Sequence, residues 1–251
     1  MSYRADRLAG KRCLITGGSR NLGAAIGVAV ARAGGSVAFT YSTSDEDAAT
    51  AKQRIETAGG REALVFKGSV ADRAHADATV KAVVAAWGGL DILINNAGIT
   101  QILPIALLEE GDWDLVMDVN VKGAYLFSRA ALRPMIRAKA GRILSIGSFG
   151  DGRVVHGAVH YAASKAALGG FTEALARDVG RYGILVNLLQ PGLLAEGLGQ
   201  SAPETRLAEY LEQHPAGRFG TLDEIAEAAV WLVSDDNSYL TGARVPVDGG
   251  V

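Results

Sequence analysis

The chain has 251 residues, 49% of them apolar and 21% charged, and its 25 basic against 27 acidic side chains leave a net charge of −2. Such a length and composition suit one α/β domain with a large core and exclude a disordered chain. The even mixture of signs excludes a polycation that grips nucleic acid, and no stretch is apolar over the roughly eighteen residues that a membrane span requires.

From the amino end, residues 1–12 carry Arg4, Asp6, Arg7, Lys11 and Arg12 without the apolar run of a signal peptide. The one cysteine, Cys13, cannot form an intramolecular disulfide and lies in the apolar run Cys13-Leu14-Ile15. A buried thiol in a reducing, cytoplasmic setting is expected. Short β-branched runs then alternate with stretches of helical periodicity. Strands are predicted at residues 12–16, 36–41, 62–67, 91–95, 141–146, 184–189 and 244–247, and helices at 22–33, 45–58, 72–87, 113–117, 121–139, 161–182 and 222–234. Most strands are apolar nearly throughout, as in sheets covered on both faces. Right-handed crossovers then give a parallel, doubly wound, seven-stranded sheet in three α/β/α layers, a single domain over residues 1–251. Only residues 192–218 leave the alternation. Pro203 and Glu204 open a short helix there with Leu207, Tyr210 and Leu211 on one face, so residues 193–218 read equally as a lid over a pocket or as a packed peripheral helix.

Glycine is the compositional outlier, 32 of 251 residues, and it points to tight turns and close backbone approaches. The turn Thr16-Gly17-Gly18-Ser19-Arg20-Asn21-Leu22-Gly23 joins the first strand to the first helix. A helix N-terminus presents unpaired N–H groups and the positive end of its dipole, so a pyrophosphate is stabilised there if no side chain blocks it. An acid at the end of the second strand would accept from a free ribose 2′-hydroxyl, whereas a 2′-phosphate needs cations and donors. Tyr41 and Ser42 stand at that place, and Arg20 supplies a cation. Asp45, Glu46 and Asp47 follow Ser44 and read as the first turn of a capped helix. NADPH is therefore expected over NADH. Asn95-Asn96-Ala97-Gly98 closes the fourth strand, where the sheet order reverses and ligands lie.

Tyr161 and Lys165 are four residues apart on one helix face, with Cβ atoms about 5 to 6 Å apart. A lysine cation roughly 5 Å from a phenol, at an effective dielectric of about 20, favours the phenolate by about 3 kcal/mol and brings its pKa near 7 to 8. The pair is thereby expected to do acid/base work. Ser148 lies thirteen residues before Tyr161, and Asn120 is placed at the head of a helix. Ser145 competes with Ser148, but its odd offset along the strand puts it on the opposite face. His156 and His160 have no acid and no third ligand spaced with them, so no metal site is expected and both are placed on a loop or pocket rim.

These residues resemble those of the short-chain dehydrogenase/reductase family. The turn matches its Thr-Gly-x-x-x-Gly-x-Gly, with Asn21 at the middle glycine, a residue that tolerates left-handed geometry. Asn96, Ala97 and Gly98 match its Asn-Asn-Ala-Gly, Ser69-Val70 stands at its Asp-Val beside the adenine, and Pro191-Gly192 matches its turn beside the nicotinamide. Leu194 would offer its backbone to the carboxamide, and Glu196 replaces a common threonine. Asn120, Ser148, Tyr161 and Lys165 match the family tetrad. The resemblance implies a Rossmann-type fold and these roles: Tyr161 protonates the substrate oxygen during reduction, Ser148 orients it, Lys165 lowers the tyrosine pKa and holds the nicotinamide ribose, and Asn120 positions a water. Gly17, Ser19, Arg20, Asn21, Leu22 and Gly23 would hold the dinucleotide phosphates.

Gly217-Arg218-Phe219-Gly220 and the tail Pro246-Val247-Asp248-Gly249-Gly250 look most like 3-oxoacyl-[acyl-carrier-protein] reductases. That resemblance implies a carrier-bound 3-oxoacyl thioester as substrate, with Lys139 at a carrier-docking position and Arg181 one residue before another. It also implies a homotetramer built on residues 121–139 and 161–182 with help from the C-terminal segment. An alcohol, sugar or polyketide-type ketone substrate, and a dinucleotide sensor that has lost catalysis, are the alternatives.

Overall fold

The computed structural model describes residues 6–149, 158–196, 211–212 and 214–250. Strands β1 (Arg12–Ile15), β2 (Ser36–Tyr41), β3 (Leu64–Lys67), β4 (Ile92–Asn95), β5 (Gly141–Ile146), β6 (Ile184–Pro191) and β7 (Arg244–Val247) form one sheet in the order β3-β2-β1-β4-β5-β6-β7, parallel throughout. Helices bounded within the described residues are α1 (Asn21–Arg32), α2 (Asp45–Gly59), α3 (Arg73–Trp87), α4 (Glu110–Met117), α5 (Gly123–Ala138), α6 (Val159–Val179) and α7 (Leu222–Val233).

Alternation along the strands feeds two cores. Cys13, Ile15, Val37, Phe39, Ile92, Ile94 and Leu144 face α1, α2 and α7, while Leu14, Ala38, Leu93 and Ile143 face α3, α5 and α6. Cys13 is fully buried as expected, and that burial pushes its thiol pKa up. At the amino end of the sheet Arg12 grips Asp91 through Nε at 2.7 Å and Nη2 at 2.8 Å, tying β1 to the start of β4.

The differences from the predicted elements have local causes. Residues 62–63 stay out of β3; the Ala63 N–H donates to the Glu56 side chain instead of entering the ladder. α4 starts three residues before its first expected position, as Asp112 accepts from the Glu109 N–H at 3.3 Å. The predicted helix at 121–139 is preceded by a π-helical turn, Asp118–Lys122, which runs α4 into α5, and Lys139 ends it in the left-handed region at φ 52°. α6 begins at Val159, and residues 180–182 continue it as a 3-10 turn. Strand β6 runs two residues further than expected, to Pro191, so it delivers Gly192 directly to the carboxyl edge.

Candidate active site

The chain turns from β3 on one side of β1 to β4 on the other, and the carboxyl edge between β1 and β4 is a crevice of the kind that holds ligands in such sheets. Its floor is a clasp. The Asn96 side-chain amide donates to the carbonyls of Thr16 at 3.0 Å and Gly17 at 2.9 Å, while Thr16 Oγ1 accepts from the N–H groups of Asn96 and Ala97 at 3.0 and 3.1 Å. Thr40 holds the turn from the other side, accepting from Gly17 N–H on its hydroxyl and from Gly18 N–H on its carbonyl.

Two glycines have reasons visible in space. Gly17 is left-handed at φ 65° and would drive a Cβ to 2.9 Å from Ala97 Cα; a Cβ on Gly23 would strike the Gly17 carbonyl oxygen and Asn96. Asn21 takes the left-handed conformation at φ 46°, so the turn keeps its course without the middle glycine, and its side chain is exposed. Helices α2, α3 and α7 are capped by the side chains of Ser44, Asp72 and Thr221, whereas the N-cap of α1, Arg20, makes no such bond. The first N–H groups of α1 thus have no side-chain cap, which leaves them for a bound pyrophosphate. The residues present fit a dinucleotide.

At the adenosine end Ser42 and Arg20 are exposed, and no partner of the Arg20 guanidinium is found among the described residues. Ser44 caps α2 through Asp47 N–H at 3.0 Å, as the sequence implies. Asp45 does more than fill a first turn. Its carboxylate accepts from the Tyr41 hydroxyl at 2.7 Å and from Lys67 Nζ at 2.8 and 3.0 Å, so the Tyr41 donor expected near the ribose is already engaged. The Asp45 bond pushes the Tyr41 pKa up. Ser69 Oγ accepts from Ala71 N–H at 3.2 Å, and Val70 packs its buried side chain against Gly123 of α5. Lys67 escaped the sequence analysis because its place opposite Tyr41 exists only once β2 and β3 are paired.

At the other end, Tyr161 hydrogen-bonds Ser148. Lys165 Nζ donates to the Ile146 carbonyl at 2.8 Å and stands 5.7 Å from the Tyr161 ring centre. Ser145 is buried inside β5, away from this pair. Asn120 sits inside the π-helical turn, a correction to its expected place at a helix head. The extra residue of that turn aims its side chain at Ile99, from whose N–H it accepts at 2.8 Å and to whose carbonyl it donates at 3.0 Å. Its second N–H goes to Ser164 Oγ at 2.9 Å, which in turn donates to the Tyr161 carbonyl at 2.7 Å. Both side-chain N–H groups of Asn120 are therefore spent, which leaves oxygen to hold a water. Asn120 and Lys165 converge over Gly98: a Cβ there would lie 3.4 Å from both Asn120 Oδ1 and Lys165 Nζ.

The electrostatics differ from the sequence expectation. Burial raises the Tyr161 pKa, and only the Ser148 bond opposes it. Burial also lowers Lys165 to about 8, so it still carries its charge at neutral pH while donating to the Ile146 carbonyl.

Pro191 is buried at the end of β6, and Gly192 donates to the Val247 carbonyl at 3.1 Å, where a Cβ on it would lie 2.8 Å from Asp248 Cα. Leu194 pairs with Gly220, and Glu196 is exposed. Most of the possible lid, with Pro203, Glu204, Leu207 and Tyr210, lies outside the described residues, as does His156. His160 is not on a rim: it is fully buried one helical turn before Ser164, and neither ring nitrogen finds a partner among the described residues. Among those residues no group of His, Cys, Asp and Glu is placed to hold a metal, and no helix is long and apolar enough to cross a membrane. Lys139 caps α5 and Arg181 stacks on the Tyr182 ring at 4.8 Å, both at the amino edge of the sheet. Strand β5 separates that edge from Ser148 by six residues, about 20 Å. On this chain they lie at the opposite edge of the sheet from Ser148.

Comparison with known proteins gives a consistent likeness. A family model described as enoyl-(acyl carrier protein) reductase matches residues 17–251. The chain is 35% identical over 242 residues to the 3-oxoacyl-[acyl-carrier-protein] reductase FabG of Escherichia coli (strain K12), covering 96% of this chain and 97% of that one. Among solved structures it is similar to a short chain dehydrogenase from Burkholderia cenocepacia J2315 in complex with NADP, with 38% identity, a TM-score of 0.90, and 97% and 98% of the two chains covered. It is also similar to an NAD+-bound xylitol dehydrogenase, with 29% identity, a TM-score of 0.91, and 97% and 99% covered.

Proposed function

Because the chain belongs to the short-chain dehydrogenase/reductase family, we propose that it reduces ketones with NADPH, and that its substrate is a 3-oxoacyl thioester on an acyl carrier protein. The observation that carries this reading is the convergence of the Ser148 hydroxyl, the Tyr161 phenol and Lys165 at the carboxyl edge, beside a glycine turn shaped for a dinucleotide. The NADP-bound relative and the exposed Arg20 support NADPH.

The dinucleotide, when bound, supplies the hydride. Tyr161 gives its proton to the substrate oxygen, and Ser148 donates to the same oxygen and orients it. A phenol kept protonated by burial suits this direction, because it arrives with the proton it must deliver. Lys165 holds the ribose hydroxyls and stabilises the phenolate left behind, and a water above Gly98, between Asn120 and Lys165, returns the proton. In the reverse direction Tyr161 is the base. Gly17, Ser19, Asn21, Leu22 and Gly23 hold the phosphates; Arg20 and Ser42 meet the 2′-phosphate; Ser69 and Val70 flank the adenine; and Ala97, Gly98, Pro191, Gly192 and Leu194 line the nicotinamide side.

The apolar residues Leu115, Tyr125 and Val159, exposed on α4, α5 and α6, support a homotetramer built on these helices. Lys139 and Arg181 serve a carrier only if a second copy brings its pocket to the amino edge. A cytoplasmic setting suits the buried Cys13.

The test is NADPH oxidation with a panel of 3-oxoacyl thioesters, free and carrier-bound, enoyl thioesters, simple ketones and ketoses. Turnover confined to 3-oxoacyl thioesters supports the reading. Turnover of ketoses with NADH, toward which the xylitol dehydrogenase likeness points, replaces it with a sugar-alcohol dehydrogenase. Tight NADPH binding without any turnover leaves a dinucleotide sensor.

A further inference from the structure

We infer that Lys67 sets the dinucleotide preference by neutralising Asp45 at the mouth of the adenosine pocket, an inference that rests on the NADP(H) reading above. Tyr41 ends β2, Lys67 ends β3, and the two are paired in register, so their side chains leave the sheet on the same face. Asp45, the first residue of α2, reaches back to both. It accepts from the Tyr41 hydroxyl at 2.7 Å and takes Lys67 Nζ on its two oxygens at 2.8 and 3.0 Å. The Lys67 ammonium also lies 5.8 Å from the Tyr41 ring centre.

The consequence is electrostatic. Ser42, which meets the ribose substituent in the proposed function, stands three residues before Asp45, and Glu46 and Asp47 follow in the same helical turn. A 2′-phosphate brings close to two negative charges to a place that already holds three carboxylates. Lys67 turns the Asp45 carboxylate into a neutral pair and, with Tyr41, pins it to the sheet edge. Arg20 is then the dominant charge that an arriving phosphate meets. Lys67 is thus a positioning residue, acting through Asp45 and not through contact with the phosphate. A ribose with a free 2′-hydroxyl carries no charge there and is indifferent to the pair.

The test titrates the whole protein with NADPH and with NADH, read by nicotinamide fluorescence at low and high salt, in the unsubstituted chain, Lys67→Ala, Asp45→Asn and the double variant. An ion pair this exposed contributes at most about 1 kcal/mol to stability, so the variants keep the fold. Lys67→Ala is expected to weaken NADPH about tenfold at low salt, less at high salt, and to leave NADH within about twofold. Adding Asp45→Asn restores NADPH to within about twofold of Asp45→Asn alone. Unchanged NADPH affinity in Lys67→Ala overturns the inference. So does a double variant as weak as Lys67→Ala, which makes Lys67 a direct phosphate ligand. Failure of the NADP(H) reading itself shows separately, in an unsubstituted chain that binds NADH more tightly than NADPH.

Discussion

The Lys165 ammonium stands 5.7 Å from the centre of the Tyr161 ring and spends its hydrogen bond on the Ile146 carbonyl instead. Burial holds the proton on the phenol until it is given up. The division of labour is a proton donor kept loaded beside a cation kept in reserve.

Replacing Tyr161 by Phe removes the proton and keeps the ring. Turnover of the ketone substrate is expected to fall by a factor of about a thousand or more, within the range for loss of a general acid, while NADPH affinity stays within about twofold. Equal turnover in Tyr161→Phe, measured by stopped-flow and steady-state NADPH oxidation, removes the acid/base role.

The raised phenol pKa has opposite consequences for the two directions. Reduction needs Tyr161 protonated, so its kcat/KM is expected to be level through neutral pH and to fall only in alkaline solution. Oxidation needs the phenolate, so its kcat/KM is expected to climb over the same alkaline range. Parallel pH profiles in both directions check this, and an oxidation rate that is level below pH 7 would contradict it.

Lys165 links site and stability with a definite sign. Its folded pKa is depressed to about 8 from 10.5. Below pH 8 both folded and unfolded chains carry the charge, and the folded chain bears the full burial cost. Between 8 and 10.5 only the unfolded chain holds the proton, and the cost falls away as pH rises. Lys165→Met is therefore expected to be more stable than the unsubstituted protein at pH 7, by about 2 kcal/mol after loss of the Ile146 bond, with the advantage shrinking toward pH 10. Urea unfolding at both pH values measures it; an advantage that grows with pH would refute the sign.

Arg20 is the exposed cation of the glycine turn. Arg20→Ala is expected to weaken NADPH by about one to two orders of magnitude, as loss of a charge-assisted phosphate contact does, and to leave NADH nearly unchanged. Calorimetric titration with each dinucleotide decides it, equal losses for both counting against a 2′-phosphate contact.

Gly23→Ala tests the cradle. Its Cβ would collide with the Gly17 carbonyl and the Asn96 amide, backbone and clasp that have no free side-chain end to move. A loss of about 2 kcal/mol in stability together with loss of dinucleotide binding is expected. Thermal unfolding with and without NADPH reads both.

Much of this was legible in the residues because burial writes its own pattern. Most of the strands are apolar nearly throughout, which placed them along the chain and marked the sheet as covered on both faces and parallel. The turn at Gly17 and Gly23 was legible because only glycine survives there. The π-helical turn was not, since an extra residue in a helix leaves the apolar spacing on either side intact, and so Asn120 was misplaced. The pKa of Tyr161 was misjudged for a related reason: helical spacing gives the separation from Lys165 but not the burial of both groups or the carbonyl that claims the ammonium. Carrier docking at Lys139 and Arg181 is implied by the resemblance alone, which matches positions along the chain and does not tell one edge of a sheet from the other.

The bonds between Thr16 and Asn96 stitch the two mononucleotide halves at the floor of their shared crevice. Parting the halves would break several short bonds at once, so the seam cannot act as a hinge. The amides of Asn96 and Ala97 should accordingly rank among the slowest in the chain to exchange with deuterium, whether or not a nucleotide is present. Any opening for a ligand is then left to the rim of the crevice, while its centre stays closed.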